Sequence, residues 1–243
     1  MDLGLSGRTA VVTGASRGIG AAAARMLEQE GARVLAVSRS AGIDVTALDA
    51  AERIADALGG ATPDILVNNA GTSFAKELDD LTEEDWQTQW ELHVMASMRL
   101  MRAFAPAMAE RGWGRIVNVT SSAAKRPSLT NAAYSVTKAA QASLSRVFAD
   151  TYATRGVLVN SVAPGPVASE LWMAPGGLAD QTAAARGISR EQALEAQTGK
   201  VPVGRFATEE EIASVVAFLC SERASMVTGA AWSVDGGTVA TIV

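Results

Sequence analysis

The sequence predicts an α/β fold built on a doubly wound parallel sheet. Three observations carry that prediction. Short β-branched apolar runs alternate with helix-forming stretches along all 243 residues, and strands that alternate with helices pair in parallel through right-handed crossovers. The first such run passes straight into a glycine-rich turn and then a helix-forming segment. Hydrophobic residues make up 48% of the chain, with Ala, Val and Gly prominent, the composition of a sheet buried on both faces under closely packed helices.

Taken in order, Thr9 to Thr13 (TAVVT) is the first strand, Gly14-Ala15-Ser16-Arg17-Gly18-Ile19-Gly20 the turn, and the helix formers AAAARMLEQE run on to Gly31. Strand, glycine turn and helix in succession is the context a dinucleotide fingerprint requires. Gly14 permits the tight turn, Gly18 lets backbone N–H groups approach a pyrophosphate, and Gly20 lets the helix pack on the strand; the phosphates would sit at the helix N-terminus. Arg33 to Ser38 (RVLAVS) is the second strand. Where an NAD site wants an acidic residue for the ribose hydroxyl, this chain has Ser38 and Arg39, with Arg17 inside the turn. Two guanidiniums and a hydroxyl suit a 2′-phosphate, which favours NADP(H) and leaves NAD(H) as the alternative. The other reading of both arginines is solvated surface.

The next crossover has room for one helix, Thr46 to Leu58, introduced by Asp44-Val45, before the strand Ile65 to Asn68 and its turn Asn69-Ala70-Gly71. Glu83 to Glu110 is a long helical stretch with Trp86, Trp90 and His93, and Pro106 should kink or break it near its end. Arg115 to Thr120 and Val157 to Val162 are further strands, separated by the helix that bears Tyr134. Residues 169–200 follow Pro164-Gly165-Pro166-Val167 and combine Leu171, Trp172 and Met173 with Pro175-Gly176-Gly177 and a helical segment around Ser189 to Gln197. They form either a lid over a ligand crevice or a helical pair that covers the sheet. The helix Thr208 to Cys220, the strand Ala231 to Val234 and Asp235-Gly236-Gly237 complete the pattern.

A net charge of −5 argues against a nucleic-acid or anionic-membrane partner. Cys220 is the single cysteine and His93 the single histidine, so no thiolate or His-rich metal site is expected. No basic segment precedes a long apolar run at the N-terminus, and no apolar run reaches membrane-span length; the expected location is the cytoplasm. Tyr134 and Lys138 lie one helical turn apart and share a face. The ammonium is therefore expected to lower the phenol's pKa and make Tyr134 a proton donor or acceptor near neutral pH, with Ser121 entering from the neighbouring loop.

Together these residues resemble the short-chain dehydrogenase/reductase family, in the short single-domain branch that holds 3-oxoacyl reductase-like and carbonyl reductase-like members. TGASRGIG (Thr13 to Gly20) resembles its glycine turn, NNAG (Asn68 to Gly71) its strand-four motif, PGPV (Pro164 to Val167) its nicotinamide segment and VDGG (Val234 to Gly237) its C-terminal signature; Ser121, Tyr134 and Lys138 fall at its catalytic spacing. The resemblance covers essentially the whole chain. It implies a Rossmann-like domain over residues 1–243 that exchanges hydride with a ketone or secondary alcohol. Tyr134 would be the general acid/base, Lys138 the lysine that tunes it and holds the nicotinamide ribose, and Ser121 the donor to the carbonyl oxygen. By the same resemblance Asp44 and Val45 contact adenine, Asn69, Ala70 and Gly71 line the ribose side, Pro164, Gly165, Val167 and Ser169 meet the nicotinamide, and the protein is a homotetramer or homodimer.

Three departures stand out. His93 occupies the place of an asparagine that holds a relay water in the family, so it either takes over that relay or merely packs the helix. The connection between Arg39 and Asp44 is short enough to have lost a crossover helix and opened the adenine side. Ser169 replaces a threonine and keeps the hydroxyl. The rival readings are an NAD-dependent alcohol or sugar dehydrogenase of the same fold and a nicotinamide sensor without turnover.

Overall fold

Five consecutive residues of strand β1 (Thr9–Thr13) are buried, and the rest of the sheet is laid out on either side of them. The computed structural model describes residues 2–240. Helix α1 (Gly18–Gln29) follows β1 and leads to β2 (Arg33–Val37); α2 (Ala50–Ala57) leads to β3 (Ile65–Asn68). Helix α3 (Glu83–Trp90), a π-helical turn (Glu91–Met95) and α4 (Ala96–Glu110) precede β4 (Gly114–Val119). After α5 (Ala132–Tyr152) comes β5 (Val157–Pro164), then α6 (Glu170–Met173), α7 (Leu178–Arg186), α8 (Arg190–Thr198), α9 (Glu209–Cys220) and β6 (Ala231–Val234).

The six strands of the described residues are all parallel, in the order β2-β1-β3-β4-β5-β6. Successive residues of a strand point to opposite faces, and the core divides accordingly. Val12, Ile65, Val67 and Val117 pack with Ala23 and Leu27 of α1 and Ile212 and Val216 of α9. Val11, Leu66, Ile116 and Val159 pack with Ile54 of α2 and with Leu100, Met101 and Phe104 of α4. Each Leu, Ile or Phe so buried contributes roughly 1.5–3 kcal/mol.

The strand order reverses at β1, which sends the chain outward to β2 on one side and β3 on the other. Ligands of open α/β sheets bind at such a switch point, beyond the carboxyl ends of the strands. The doubly wound order 3-2-1-4-5-6 carries one more strand outside the second; here β2 is the edge. Between β2 and Asp44 the chain holds only a 3₁₀ turn, Arg39–Ala41, so this short segment has dispensed with a strand as well as a helix.

Two expectations from the sequence need correction. Helix α2 begins at Ala50, not Thr46, because the Asp44 carboxylate accepts the Thr46 backbone N–H (2.9 Å) and hydroxyl (2.8 Å), an Asx turn that competes with helix. Of the kink or break expected at Pro106, the break does not occur: α4 runs on to Glu110. Pro106 lies on the exposed side, where the carbonyl it leaves unpaired can be hydrated. No helix among the described residues is long and apolar enough to cross a membrane.

Candidate active site

Thr13 ties the end of β1 to the end of β3. Its Oγ1 accepts the backbone N–H groups of Asn69 (3.0 Å) and Ala70 (3.1 Å) and donates to the Val67 carbonyl (3.3 Å). The Asn69 side chain answers by donating to the carbonyls of Thr13 (2.9 Å) and Gly14 (3.2 Å). The two turns sit so close that only glycine fits between them. Gly14 has φ +67°, and a Cβ there would stand 2.7 Å from Ala70 Cα; a Cβ at Gly20 would stand 2.4 Å from both Asn69 Nδ2 and the Gly14 carbonyl. The side-chain amide of Asn69, one of the residues expected to line the ribose side, holds this junction together.

Beyond the junction, α1 starts at Gly18 with no side-chain cap and no acidic residue in its first turn, so its N–H groups and dipole remain available to an anion. A cleft of about 620 Å³ opens there, lined by Ser16, Arg17, Gly18, Ser169, Glu170 and Met173 among others. Arg17 points across it and pairs with Glu170 at 3.1 Å, which ties it to the 169–200 segment and not to Arg39. Arg39 is exposed beside the carboxyl end of β2. Ser38 caps its own turn, accepting from Ala41 N–H at 3.2 Å. Asp44 is held below the usual carboxylate range by the two Thr46 hydrogen bonds and, to a smaller extent, by Arg39, while Val45 is buried.

Ser121 ends the β4 crossover in extended conformation, its oxygen accepting from Ala123 N–H (3.1 Å) so that its proton can be donated. Helix α5 presents Tyr134 and Lys138 on one face. The Lys138 Nζ lies 5.7 Å from the centroid of the Tyr134 ring. It donates to the carbonyl of Val119 (2.8 Å) and to Oε1 of Gln141 (3.0 Å). Burial pulls the ammonium down to about 7. The phenol moves the opposite way from the expectation: burial pushes Tyr134 up, and its hydrogen bond with Ser121 draws it only partly back. The apolar setting disfavours both charged forms, the phenolate of Tyr134 as well as the ammonium of Lys138.

His93 lies in the π-helical turn and is completely buried. Its Nε2 accepts the Thr72 N–H (3.2 Å) and must therefore be unprotonated; Nδ1 then carries the proton and donates to Thr137 Oγ1 (2.9 Å), whose hydroxyl donates to the Tyr134 carbonyl (2.9 Å). Burial and the nearby Lys138 charge hold the ring neutral, well below 6.5. Both nitrogens are engaged by the protein. Of the two roles open to His93, the packing one is what these contacts describe.

On the far side, Gly165 lies against the last turn, where a Cβ would come within 2.7 Å of Asp235 Cα, and Pro164 closes β5. Val167 bridges to Ala207. Ser169 starts α6 without a side-chain cap bond. The 169–200 segment is anchored to the loop after β3 by the Gln181 side-chain oxygen Oε1, which accepts from Ala75 N–H at 2.9 Å. Thr13, Thr137 and Gln141 were not singled out from the sequence. Thr13 had a signal, since it immediately precedes the glycine turn; the partners of Thr137 and Gln141 come from distant helices and leave none.

Two family profiles match the chain, one described as short chain dehydrogenase over residues 8–56 and one as enoyl-(acyl carrier protein) reductase over residues 39–239. The chain belongs to the short-chain dehydrogenase/reductase family. Among its relatives in that family is L-xylulose reductase of Bos taurus, 36% identical over 99% of this chain and 100% of the relative. Another is a 3-oxoacyl-[acyl-carrier-protein] reductase of Vibrio cholerae, 34% identical over 97% and 98%. Among solved structures, L-sorbose reductase from Gluconobacter frateurii, complexed with NADPH and L-sorbose, superposes with a TM-score of 0.89 at 34% identity over the full length of both chains. As a short-chain dehydrogenase/reductase, the protein is a nicotinamide-dependent oxidoreductase acting on CH–OH and C=O groups.

Proposed function

We propose that this chain is an NADP(H)-dependent reductase of ketones, with Tyr134 as the proton donor. The observation that carries the reading is the convergence of Ser121, Tyr134 and Lys138 just past the carboxyl end of β4, with the Tyr134 phenol hydrogen-bonded to Ser121 and the Lys138 Nζ 5.7 Å from the centroid of the Tyr134 ring. The residues present fit the cofactor. The turn is one that a Cβ would fill, the α1 N-terminus is uncapped, Arg39 is exposed where a 2′-phosphate would be read, and Ser169 keeps a hydroxyl for the carboxamide side.

When bound, the cofactor supplies or accepts the hydride. The chain supplies the rest. A phenol raised by burial stays protonated at neutral pH and can hand its proton to the carbonyl oxygen as negative charge develops there. Ser121 donates a hydrogen bond to the same oxygen. Lys138 uses two of its three N–H bonds on Val119 and Gln141, which leaves one for a ribose hydroxyl. Residues 169–200 act as the lid, held to the 72–76 loop through Gln181 and to the glycine turn through the Arg17–Glu170 pair. The names of the relatives favour a polyhydroxylated ketone, with the apolar Leu171 and Met173 of the lid covering it.

Exposed Trp90, Val136 and Val147 on α3 and α5 suit burial in a homo-oligomer, and the cytoplasm is the proposed location. Initial rates with NADPH and NADH over L-xylulose, L-sorbose, a 3-oxoacyl ester and simple ketones test the assignment. The expected result is turnover of at least one ketone with NADPH preferred. No turnover across the panel with NADPH binding retained would overturn it.

A further inference from the structure

Lys138 is a buried charged side chain beside Tyr134, and what holds it there is a second polar residue on the same helix. Gln141 is 0% exposed. It lies three positions along α5 from Lys138, on the same face. Its Oε1 accepts from Lys138 Nζ at 3.0 Å and its Nε2 donates to Ser97 Oγ of α4 at 2.8 Å. That orientation is the only workable one, because a flipped amide would set its NH₂ against an ammonium that has only donors. The other acceptor for Nζ is the Val119 carbonyl on β4, which no substitution of a side chain can tune.

The groups that could compete for this role are already engaged. His93, from the π-helical turn, has both nitrogens bound by Thr72 and Thr137. Tyr134, on α5 itself, approaches through its ring. Among the described residues no carboxylate pairs with Lys138, and burial lowers its proton affinity. An ammonium in such a place persists only where hydrogen bonds replace its lost water.

We propose that Gln141, backed by Ser97, is a positioning residue for the reaction, holding the Lys138 ammonium charged and in place beneath Tyr134. The inference rests on the reductase reading for its catalytic meaning and on the contacts alone for its effect on Lys138. Since Lys138 titrates near neutrality in the folded chain, loss of the amide oxygen would leave it uncharged at the pH where the enzyme works. Ketone reduction should then fail on its alkaline side first.

The test uses Gln141→Met, which keeps the volume and removes the amide, and Gln141→Glu, which keeps an acceptor and adds charge. Selective ¹³C labelling of the chain's four lysines allows the Lys138 titration to be followed by NMR in the intact protein. In Gln141→Met its midpoint should fall by about one unit, the alkaline limb of kcat should move down with it, and KM for the ketone should change less than twofold. In Gln141→Glu both should move up. An unmoved Lys138 midpoint in folded Gln141→Met would overturn the proposal; if that variant fails to fold, Ser97→Ala should give a smaller shift of the same sign, and no shift would overturn it equally. A wild-type protein with no ketone turnover would sink the reductase reading instead, and the NMR titration would still decide the role of Gln141.

Discussion

The imidazole of His93 meets the ring of Tyr134 edge to face, with 5.4 Å between centroids and 89° between planes. The two are joined a second time through Thr137, whose hydroxyl oxygen accepts the His93 Nδ1–H hydrogen bond while its own proton is donated to the Tyr134 carbonyl. One buried, neutral histidine thus fixes both the backbone and the ring of the proposed acid and, through Thr72, the loop after β3.

This wiring gives the fold a pH dependence. The folded ring resists protonation, whereas in the unfolded chain it titrates near 6.5. The unfolded state therefore binds the extra proton, so stability is complete above about pH 6.5 and is lost as pH falls below it, by about 1.4 kcal/mol per unit until the folded ring also protonates. Urea denaturation between pH 7 and 5.5 should show this slope, and His93→Asn should flatten it. An equal slope in the variant would assign the effect to other groups.

Lys138 acts with the opposite range. Its folded value of about 7 lies below its unfolded 10.5, so the penalty for the buried charge is full below about pH 7 and fades as pH rises toward 10.5. Lys138→Met should abolish turnover yet stabilise the fold by about 1–3 kcal/mol at pH 6.5, a gain that shrinks by pH 9.5. A variant less stable than wild type at pH 6.5 would contradict the assignment of that penalty.

Tyr134→Phe removes the proposed proton donor and leaves the cofactor cleft intact. Turnover should fall roughly 10²- to 10⁴-fold, while NADPH affinity measured by fluorescence stays within about threefold. Persistent activity would show that another group donates the proton.

Arg39 is exposed and bound to no carboxylate among the described residues, whereas Arg17 is paired with Glu170. Arg39→Asp should therefore lower the NADPH/NADH ratio of kcat/KM roughly 10- to 100-fold, and Arg17→Ala should change it little. The reverse ranking would move the 2′-phosphate to the glycine turn.

Gly14→Ala combines a positive φ with a backbone atom 2.7 Å from the new Cβ. It should cost about 2 kcal/mol or more in chemical denaturation and weaken NADPH binding as the turn and the Asn69 loop separate. Unchanged affinity would show that the junction does not shape the cofactor site.

Strand, turn and helix alternation was legible because buried parallel strands and amphipathic helices impose their own periods on the chain; Thr9–Thr13, Ile65–Asn68 and Ala231–Val234 lie where those periods put them. The Tyr134 and Lys138 pair was legible for the same local reason, one helical turn. What no local pattern contained was the electrostatics of that pair. Whether a lysine lowers a neighbouring phenol depends on how much water both have lost, and that is set by β4, α4 and the π-helical turn closing around α5. The sequence alone determined the layers, the glycine turn and which side chains are proposed to react. Only the tertiary structure decided that His93 has no nitrogen to spare, that Arg17 answers to Glu170, and that Lys138 leans on Gln141, because each depends on contacts between residues far apart in the chain.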